Sequence, residues 1–232
     1  FDITVAPLMR CWGFADGEHR VPSPGELAKA RECVGMDLVH LDAKNITVQF
    51  ERPGVRIDLG AIGKGFALDI ADEIVREADI TSALIHGGTS TVCAIGSPPE
   101  KDFWKVAIEH PGCEQPGADI PEYKRIVAVA ELNDESLSVS AGWGKAFEEN
   151  GVSYGHVLDP RCGQPTQNTL LAAVALPSGT AADAWSTALL VSGVAGPVAL
   201  GQVGESARLL LLLPDGDSGF RTLNDGFESA LS

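Results

Sequence analysis

Short apolar stretches that alternate with polar residues recur along the chain and predict a protein rich in β-strands. The predicted strands cover residues 38–41, 46–50, 82–86, 91–96, 104–108, 125–132, 137–140, 170–176 and 207–213. Further extended segments are predicted at residues 1–5, 55–59 and 154–160, the first ended by Pro7 and the last by Pro160. Turn residues at 42–45 and the pair Asp215-Gly216 separate neighbouring strands.

Apolar residues spaced three and four positions apart predict helices between these strands. The predicted helices cover residues 24–33, a segment from a glycine-rich turn to about 78, and residues 142–150, 180–194 and 197–203. Ser23 is a suitable N-cap for the first of them, with Pro24 at the first helical position. Because several strands follow one another directly, the pattern favours an α+β fold, with mixed or antiparallel sheets flanked by helices.

Candidate chemistry lies in the stretch 154–160, which carries His156 and Asp159, and in the helix that follows it. In that helix Asp183 and Thr187 stand four residues apart and therefore share a face. Such an oxygen pair suits Mg²⁺, which proteins hold with few oxygen ligands plus substrate phosphates. The alternative is structural, because Thr180 and Asp183 also fit a capping box at a helix start.

The charge of the chain narrows the class of partner. Lys and Arg total 17 against 32 Asp and Glu, which gives a formal net charge of −15. This balance argues against nucleic acid as a partner, because nucleic-acid binding depends on neutralising phosphates. An anionic small molecule stays possible where a local site supplies donors or a metal.

Length and cysteine content add further bounds. The 232 residues, 44% of them hydrophobic, suffice for one large domain or two small ones. No apolar run in the sequence is long enough for a transmembrane segment. The five cysteines are odd in number and contain no C-x-x-C pair, which argues against a disulfide framework or zinc site and predicts that most of them are buried, inert thiols.

Two glycine-rich turns are candidate binding elements. Gly60, Gly63 and Gly65 surround Lys64 before a predicted helix, where backbone N–H groups and a positive helix end can meet phosphate. The spacing differs from a Walker A loop, and Lys64 also fits an ordinary solvated lysine. The pair Gly87-Gly88 after a predicted strand permits close approach of the backbone to another group.

Seven stretches, in their order along the chain, carry a family resemblance. They are F-D-I-T-V-A-P-L with W-G-F at 1–14, I-D-L-G-A-I-G-K-G at 57–65, H-G-G at 86–88, W-K-V-A-I at 104–108, S-A-G-W with Phe147 at 140–147, H-V-L-D-P-R-C-G at 156–163 and A-D-A-W-S-T-A at 182–188. Together they resemble the FAD:protein FMN transferase family, the ApbE-like flavin transferases. The sequence departs from the family pattern at Ala6, Ala141, Trp143 and Cys162.

The resemblance implies an ApbE-like, T-fold-like architecture. It implies that residues 1–232 form a single catalytic domain without the family's N-terminal segment. It also implies a Mg²⁺-dependent enzyme that takes FAD as substrate, transfers FMN to a Thr or Ser hydroxyl of a target flavoprotein and releases AMP. Relatives are commonly exported, so the resemblance implies a periplasmic or lipid-anchored location at the cell envelope.

The same resemblance implies roles for individual residues. The metal ligands would be the side chains of Asp183 and Thr187 and the carbonyl of Ala61, with Ser186 as a weak or water-mediated contact. The implied FAD contacts are Asp2, Asp58, Lys64, Gly87, Gly88 and Val157. Asp183 would thereby be catalytic, and His156 is the candidate general base, since its intrinsic pKa suits proton transfer near neutrality. Equally, His156 could serve only to position the flavin.

Two other functions stay open at this point. With water as the acceptor, the same site would make the protein a Mg²⁺-dependent FAD pyrophosphatase that gives FMN and AMP. A non-catalytic FAD-binding protein is the second alternative.

Overall fold

The structure, a computed structural model, describes residues 1–114, 125–142, 145–195, 207–216 and 219–230. These residues form two compact units. The first unit comprises Phe1–Leu59 and Gly142–Gln167, and the second comprises Gly60–Ala141 and Asn168–Ser232. That residues 1–232 act as a single catalytic domain stays a prediction.

Helices and strands follow one another in mixed order. The helices are α1 (Ala6–Cys11), α2 (Pro24–Arg31), α3 (Gly63–Glu77) and α4 (Gly179–Ser192). The strands are β1 (Val39–Asp42), β2 (Thr47–Phe50), β3 (Ala83–His86), β4 (Thr91–Ile95), β5 (Trp104–Glu109), β6 (Ile126–Leu132), β7 (Glu135–Ala141), β8 (Ala146–Glu149), β9 (Val152–Gly155), β10 (Leu171–Leu176), β11 (Arg208–Asp215), β12 (Gly219–Asp225) and β13 (Glu228–Ser229). Within the described ranges, every helix falls short of what crossing a membrane requires.

In the second unit, α3 and α4 accompany two antiparallel sheets. Six strands pair in the order β12-β11-β10-β7-β4-β3, and three pair in the order β13-β6-β5. Alternate residues of β10 and β11, such as Ala173 and Leu210, share a buried cluster with Ile108 and Leu132 of the smaller sheet. Burial on both faces explains why β10 is apolar throughout. The predicted α+β class with antiparallel sheets and helices is therefore confirmed.

The first unit packs α1 and α2 with two β-hairpins. Leu8, Trp12 and Leu158 form a buried apolar cluster in it. The indole N–H of Trp12 donates to the carbonyl of Gly163 at 2.9 Å, which satisfies the polar end of a buried side chain. The predicted Ser23 cap of α2 is confirmed, since its hydroxyl accepts from the backbone N–H of Glu26.

The N-terminal segment differs from the extended strand predicted for residues 1–5. A carboxylate oxygen of Asp2 accepts from the N–H and the hydroxyl of Thr4, at 2.8 and 2.6 Å. Ile3–Val5 therefore begins as a 3₁₀ turn that leads directly into α1. Pro7 lies in the first turn of that helix, where its missing N–H costs nothing, so it does not end the segment.

Residues 142–150 were predicted as a helix, and this prediction is wrong for the described residues. Ala146–Glu149 is β8, paired antiparallel with β9, while residues 143–144 lie outside the described ranges. The connecting residues Asn150 and Gly151 both have positive φ, at 53° and 77°. Two such residues form the tight turn that fits hairpin twist, so the Asn-Gly pair overrides the apparent helical spacing.

Two further strand predictions are corrected. Residues 55–59 form no strand, and α3 begins at Gly63. The strand predicted over 154–160 ends at Gly155, so His156 and Asp159 follow it in a loop that returns through a bridge between Leu158 and Pro165. The helix predicted at 197–203 lies outside the described residues. All five cysteines are free thiols, but the structure buries only Cys11 and Cys93 among them.

Candidate functional site

Asp183 is a buried carboxylate in the second turn of α4, with 2% of its surface exposed. Its Oδ2 accepts from the backbone N–H of Gly65 at 3.0 Å, and its Oδ1 accepts from the Ser138 hydroxyl at 3.1 Å. The ammonium of Lys64 lies 3.5 Å from Oδ1. A buried charge is costly without partners, and these three donors supply them.

The capping-box alternative for Asp183 is wrong. The N-cap of α4 is Ser178, whose hydroxyl accepts from the N–H of Ala181 at 3.2 Å. The Thr180 hydroxyl donates instead to Asp69 of α3 at 2.6 Å. Asp183 therefore does not stabilise the start of its own helix but faces the start of α3.

Hydroxyl groups from β7 and α4 form a network beside Asp183. Because Ser138 and Ser140 are two residues apart on β7, both point to the face that carries α4. The Ser140 and Ser186 hydroxyls lie 2.8 Å apart, and the Ser140 and Thr187 hydroxyls lie 3.2 Å apart. Ser186 is also 3.3 Å from the Ser138 hydroxyl. The structure thus brings Asp183, Lys64 and Thr187 into one polar network.

The donor set of this network fits a hard cation. Carboxylate and hydroxyl oxygens are the ligand type that Mg²⁺ prefers, and it completes its shell with water and substrate phosphate. Ala61, the predicted carbonyl ligand, is half-buried in the turn that precedes α3. Among the described residues there is no group of three or more His, Cys, Asp or Glu side chains that could hold a metal. A cation here would depend on Asp183, neutral oxygens and its substrate; the ligand roles stay predictions.

Two glycines allow α3 and α4 to approach closely at this network. A Cβ on Gly65 would overlap the carbonyl of Gly179 and lie 2.8 Å from the backbone nitrogen of Thr180. A Cβ on Gly179 would lie 2.9 Å from both the Gly65 carbonyl and an oxygen of Asp69. This absence of side chains lets the Gly65 N–H reach Asp183.

Asp69 connects the same two helices. Its carboxylate accepts from the N–H of Gly179 at 2.6 Å, from the N–H and hydroxyl of Thr180 at 3.0 and 2.6 Å, and from the Ser178 hydroxyl at 3.0 Å. Partial burial raises the pKa of Asp69, but the hydrogen bonds led by Thr180 outweigh it, so the pKa lies below its ordinary value. Asp69 therefore accepts hydrogen bonds from N–H groups at the start of α4 that have no partner within the helix, and its charge is favourable at this end of the helix dipole.

We expect Asp69→Asn to lower the free energy of unfolding by about 1–2 kcal/mol at neutral pH, the usual value of a lost helix cap. Since the folded state depresses the pKa, the carboxylate stabilises fully above its unfolded value near 3.8 and loses this contribution as the pH falls through the lower folded pKa. Urea unfolding of both proteins from pH 7 down to pH 3 would measure the difference. A gap that stays constant over this range would contradict the assignment.

The predicted Gly87-Gly88 pair forms part of the loop between β3 and β4. The N–H of Gly87 donates to the carbonyl of Thr91 at 2.8 Å, which closes the loop. Gly88 has a φ of 80°, and a Cβ there would meet nothing within 4 Å. Backbone conformation therefore requires Gly88, and the space beside it is open.

The remaining predicted residues belong to the first unit. Asp2 is engaged with Thr4, and the N–H of Asp58 donates to the Ile3 carbonyl at 2.7 Å. The Val157 carbonyl accepts from Thr166 at 2.9 Å.

His156 is half-buried, with its ring edge-on to Phe14 at a centroid distance of 6.5 Å. Its backbone N–H donates to the carbonyl of Lys145 at 2.9 Å. Three residues further on, Asp159 accepts from the Arg161 guanidinium, which holds the pKa of that carboxyl below its usual range. The roles predicted for these residues stay predictions.

Two polar residues beside Asp183 and the start of α4 were not predicted from the sequence. Ser138 contacts Asp183 directly, and its signal is the alternation S-L-S-V-S at 136–140, which places three hydroxyls on one face of a strand. Asp69 follows Gly65 by four residues on α3, so both face α4. That spacing could have indicated Asp69 once the start of α4 was known to lie opposite.

The sequence is similar to a known family and to named enzymes of that family. The sequence model of the ApbE family matches residues 1–206. The FAD:protein FMN transferase of Haemophilus influenzae is 32% identical over 197 residues, which cover 83% of this chain and 55% of that protein. The enzyme of the same name from Vibrio cholerae is 27% identical over 217 residues, covering 92% of this chain and 62% of that protein. The chain thus spans little more than half the length of these relatives.

The solved structures that resemble this fold are also ApbE proteins. The ApbE protein of Thermotoga maritima superposes with a TM-score of 0.83 at 30% identity, over 97% of this chain and 70% of that one. The flavinyl transferase ApbE of Pseudomonas stutzeri, in its apo form, gives 0.79 at 28% identity, over 97% and 67%. With nearly nine-tenths of its length matched by the family model, the chain belongs to the ApbE family.

Proposed function

We propose that this chain carries the catalytic site of a Mg²⁺-dependent FAD:protein FMN transferase. The observation that carries the proposal is the buried Asp183 carboxylate, held by the Gly65 N–H and the Ser138 hydroxyl beside Lys64. The names of the relatives, FAD:protein FMN transferase, support it. FAD would be the substrate, and a flavoprotein with a Thr or Ser hydroxyl the acceptor.

The reaction would exchange one phosphoanhydride bond for a phosphoester. The acceptor oxygen bonds to the phosphorus of the FMN half, the bond from that phosphorus to the bridging oxygen breaks, and AMP leaves with that oxygen. The hydroxyl proton passes to a base. Such chemistry depends mainly on positioning and charge stabilisation.

A chain with a formal charge of −15 needs local cations to hold the FAD diphosphate. Lys64 supplies one, since its side chain is 42% exposed and its ammonium has donors beyond the contact with Asp183. Asp183, Thr187 and the Ala61 carbonyl would hold Mg²⁺, which when bound neutralises charge that develops on the phosphates. Ser138 and the Gly65 N–H fix the direction of the Asp183 oxygens. We also propose that the protein acts at the periplasmic side of the cell envelope.

The first experiment follows AMP, free FMN and peptide mass after incubation with FAD and Mg²⁺, with and without a peptide that carries an acceptor threonine. A peptide heavier by one FMN, with equimolar AMP, is expected. AMP and free FMN beside an unmodified peptide would replace the transferase by a pyrophosphatase. Bound FAD without AMP would contradict catalysis by this chain.

His156 is the proposed general base for the acceptor hydroxyl. We expect His156→Gln to lower kcat for transfer by about 10²–10³-fold, to change KM for FAD little, and to remove the fall in rate on the acid side of the parent's pH–rate profile. A pH–rate profile measures this. The matched control is His19→Gln, since His19 is exposed and stacks on Phe147 in the same unit. A raised KM with an unchanged pH profile would instead assign His156 to flavin positioning.

A further inference from the structure

A shallow cavity of about 330 Å³, wide open to solvent, lies within the first unit, between α1, α2 and the loop after β2. Its volume is at the lower end of the range for small-molecule sites, which begins at about 300 Å³. Pro7, Ala30 and Cys33 supply apolar and thiol lining. The cavity is thus sized for a ligand smaller than a dinucleotide.

Three cations converge on this cavity from separate segments of the chain. Arg10 comes from α1, Lys29 from α2 and Arg56 from the loop. Within the described stretches of the chain, none of the three forms an ion pair or a side-chain hydrogen bond. The chain as a whole has 32 acidic against 17 basic residues, so the cavity reverses the overall charge balance.

Glu26 is the acidic residue that lines the cavity, and its charge is already compensated. Its carboxylate accepts from the Arg20 guanidinium at 2.8 Å, and from the N–H and hydroxyl of Ser23 at 2.9 and 2.8 Å. The hydrogen bond from Arg20, followed by those from Ser23, lowers the pKa of Glu26 to about 2. Glu26 therefore stays ionised but has partners other than the three cations.

We propose that this cavity binds a small phosphate-bearing anion. Two guanidinium groups can each donate paired hydrogen bonds to phosphate oxygens, and the Lys29 ammonium adds a compact charge. All three cations are exposed, so their attraction for an anion should depend on ionic strength. The proposal does not rest on the proposed function, because none of the residues that line the cavity is a predicted FAD or metal contact.

The direct test titrates inorganic pyrophosphate into the intact protein by calorimetry, in EDTA so that no divalent metal contributes. We expect saturable one-site binding with a dissociation constant below about 1 mM that weakens as salt is raised. The triple variant Arg10→Gln, Lys29→Gln and Arg56→Gln is expected to weaken binding at least about tenfold, as the removal of three charge-assisted contacts requires.

A matched triple variant separates the cavity from overall charge. Lys44→Gln, Lys101→Gln and Arg221→Gln remove the same three charges from exposed positions that do not line the cavity. Binding by this control should equal that of the parent protein. Equal weakening in both triple variants, or no saturable binding to the parent, would overturn the proposal.

Cys33 provides a second readout that needs no calorimetry. Iodoacetate carries a negative charge and iodoacetamide does not, while both react with the same thiolate, so their rate ratio at Cys33 reports local potential and not thiol pKa. We expect that ratio, followed by peptide mass, to fall about threefold or more in the cavity variant but not in the control. Pyrophosphate should slow both reactions in the parent protein. A ratio that is unchanged by the cavity variant would contradict convergence of the three cations.

Discussion

Replacement of Asp183 by asparagine is expected to lower FMN transfer from FAD by about a thousandfold while the protein stays folded. Asparagine keeps the shape of the side chain, and its oxygen can still accept from the Gly65 N–H. Its amide can donate to the Ser138 hydroxyl, which is free to accept instead of donate. The variant therefore removes a charge and a cation ligand without leaving a buried group unsatisfied. A loss of about 4 kcal/mol in transition-state stabilisation corresponds to that factor.

The control for this variant is Asp72→Asn on α3. Asp72 is partly buried, less so than Asp183, and pairs with Arg76 at 2.9 Å, so its replacement removes the same charge outside the Asp183 network. Transfer by the control should stay within about threefold of the parent, by the usual size of surface-charge effects. Initial rates measured across a Mg²⁺ titration, with thermal unfolding of each protein, decide the outcome. Full transfer by a folded Asp183→Asn protein would remove Asp183 from the mechanism and the metal site.

Strand positions were the most predictable part of this fold. The strands predicted from alternation at 104–108 and from apolar runs at 125–132 and 170–176 coincide with β5, β6 and β10 to within one or two residues. Period-2 patterning is a local property that burial on a sheet face enforces. The prediction from apolar spacing was wrong at 142–150. A helix was predicted there, but the turn at Asn150-Gly151 connects β8 and β9 as a hairpin.

The candidate site was predictable only within single elements. That Asp183 and Thr187 share a face follows from helical geometry alone, and both contact the hydroxyl network of β7 and α4. The partners Ser138 and Gly65 are 45 and 118 residues away from Asp183. Which strand lies under α4, and which helix start faces it, depends on sheet order and non-local packing that spacing does not encode.

The close contact of α3 and α4 at Gly65 and Gly179 leads to the second large expected effect, a loss of stability. We expect Gly65→Ala to lower the free energy of unfolding by about 3 kcal/mol, the upper part of the usual range for overpacking. The added methyl would overlap the carbonyl of Gly179, and backbone atoms cannot rotate away as a flexible side chain can. For a chain of this size the melting temperature should fall by roughly 6–12 °C. Transfer should fall too, since moving α3 withdraws the Gly65 N–H from Asp183.

Gly63, two residues earlier on α3, provides the matched control for Gly65→Ala. A Cβ at Gly63 would meet nothing within 4 Å, and its backbone is not in the left-handed region. Gly63→Ala should therefore leave stability unchanged or raise it by up to about 0.5 kcal/mol, because alanine restricts the unfolded chain. Thermal and urea unfolding of the two variants test the contrast directly. If the Gly65→Ala and Gly63→Ala variants have the same melting temperature, α3 and α4 do not meet as closely as described. The position of Asp183 would then need a support other than the α3 backbone.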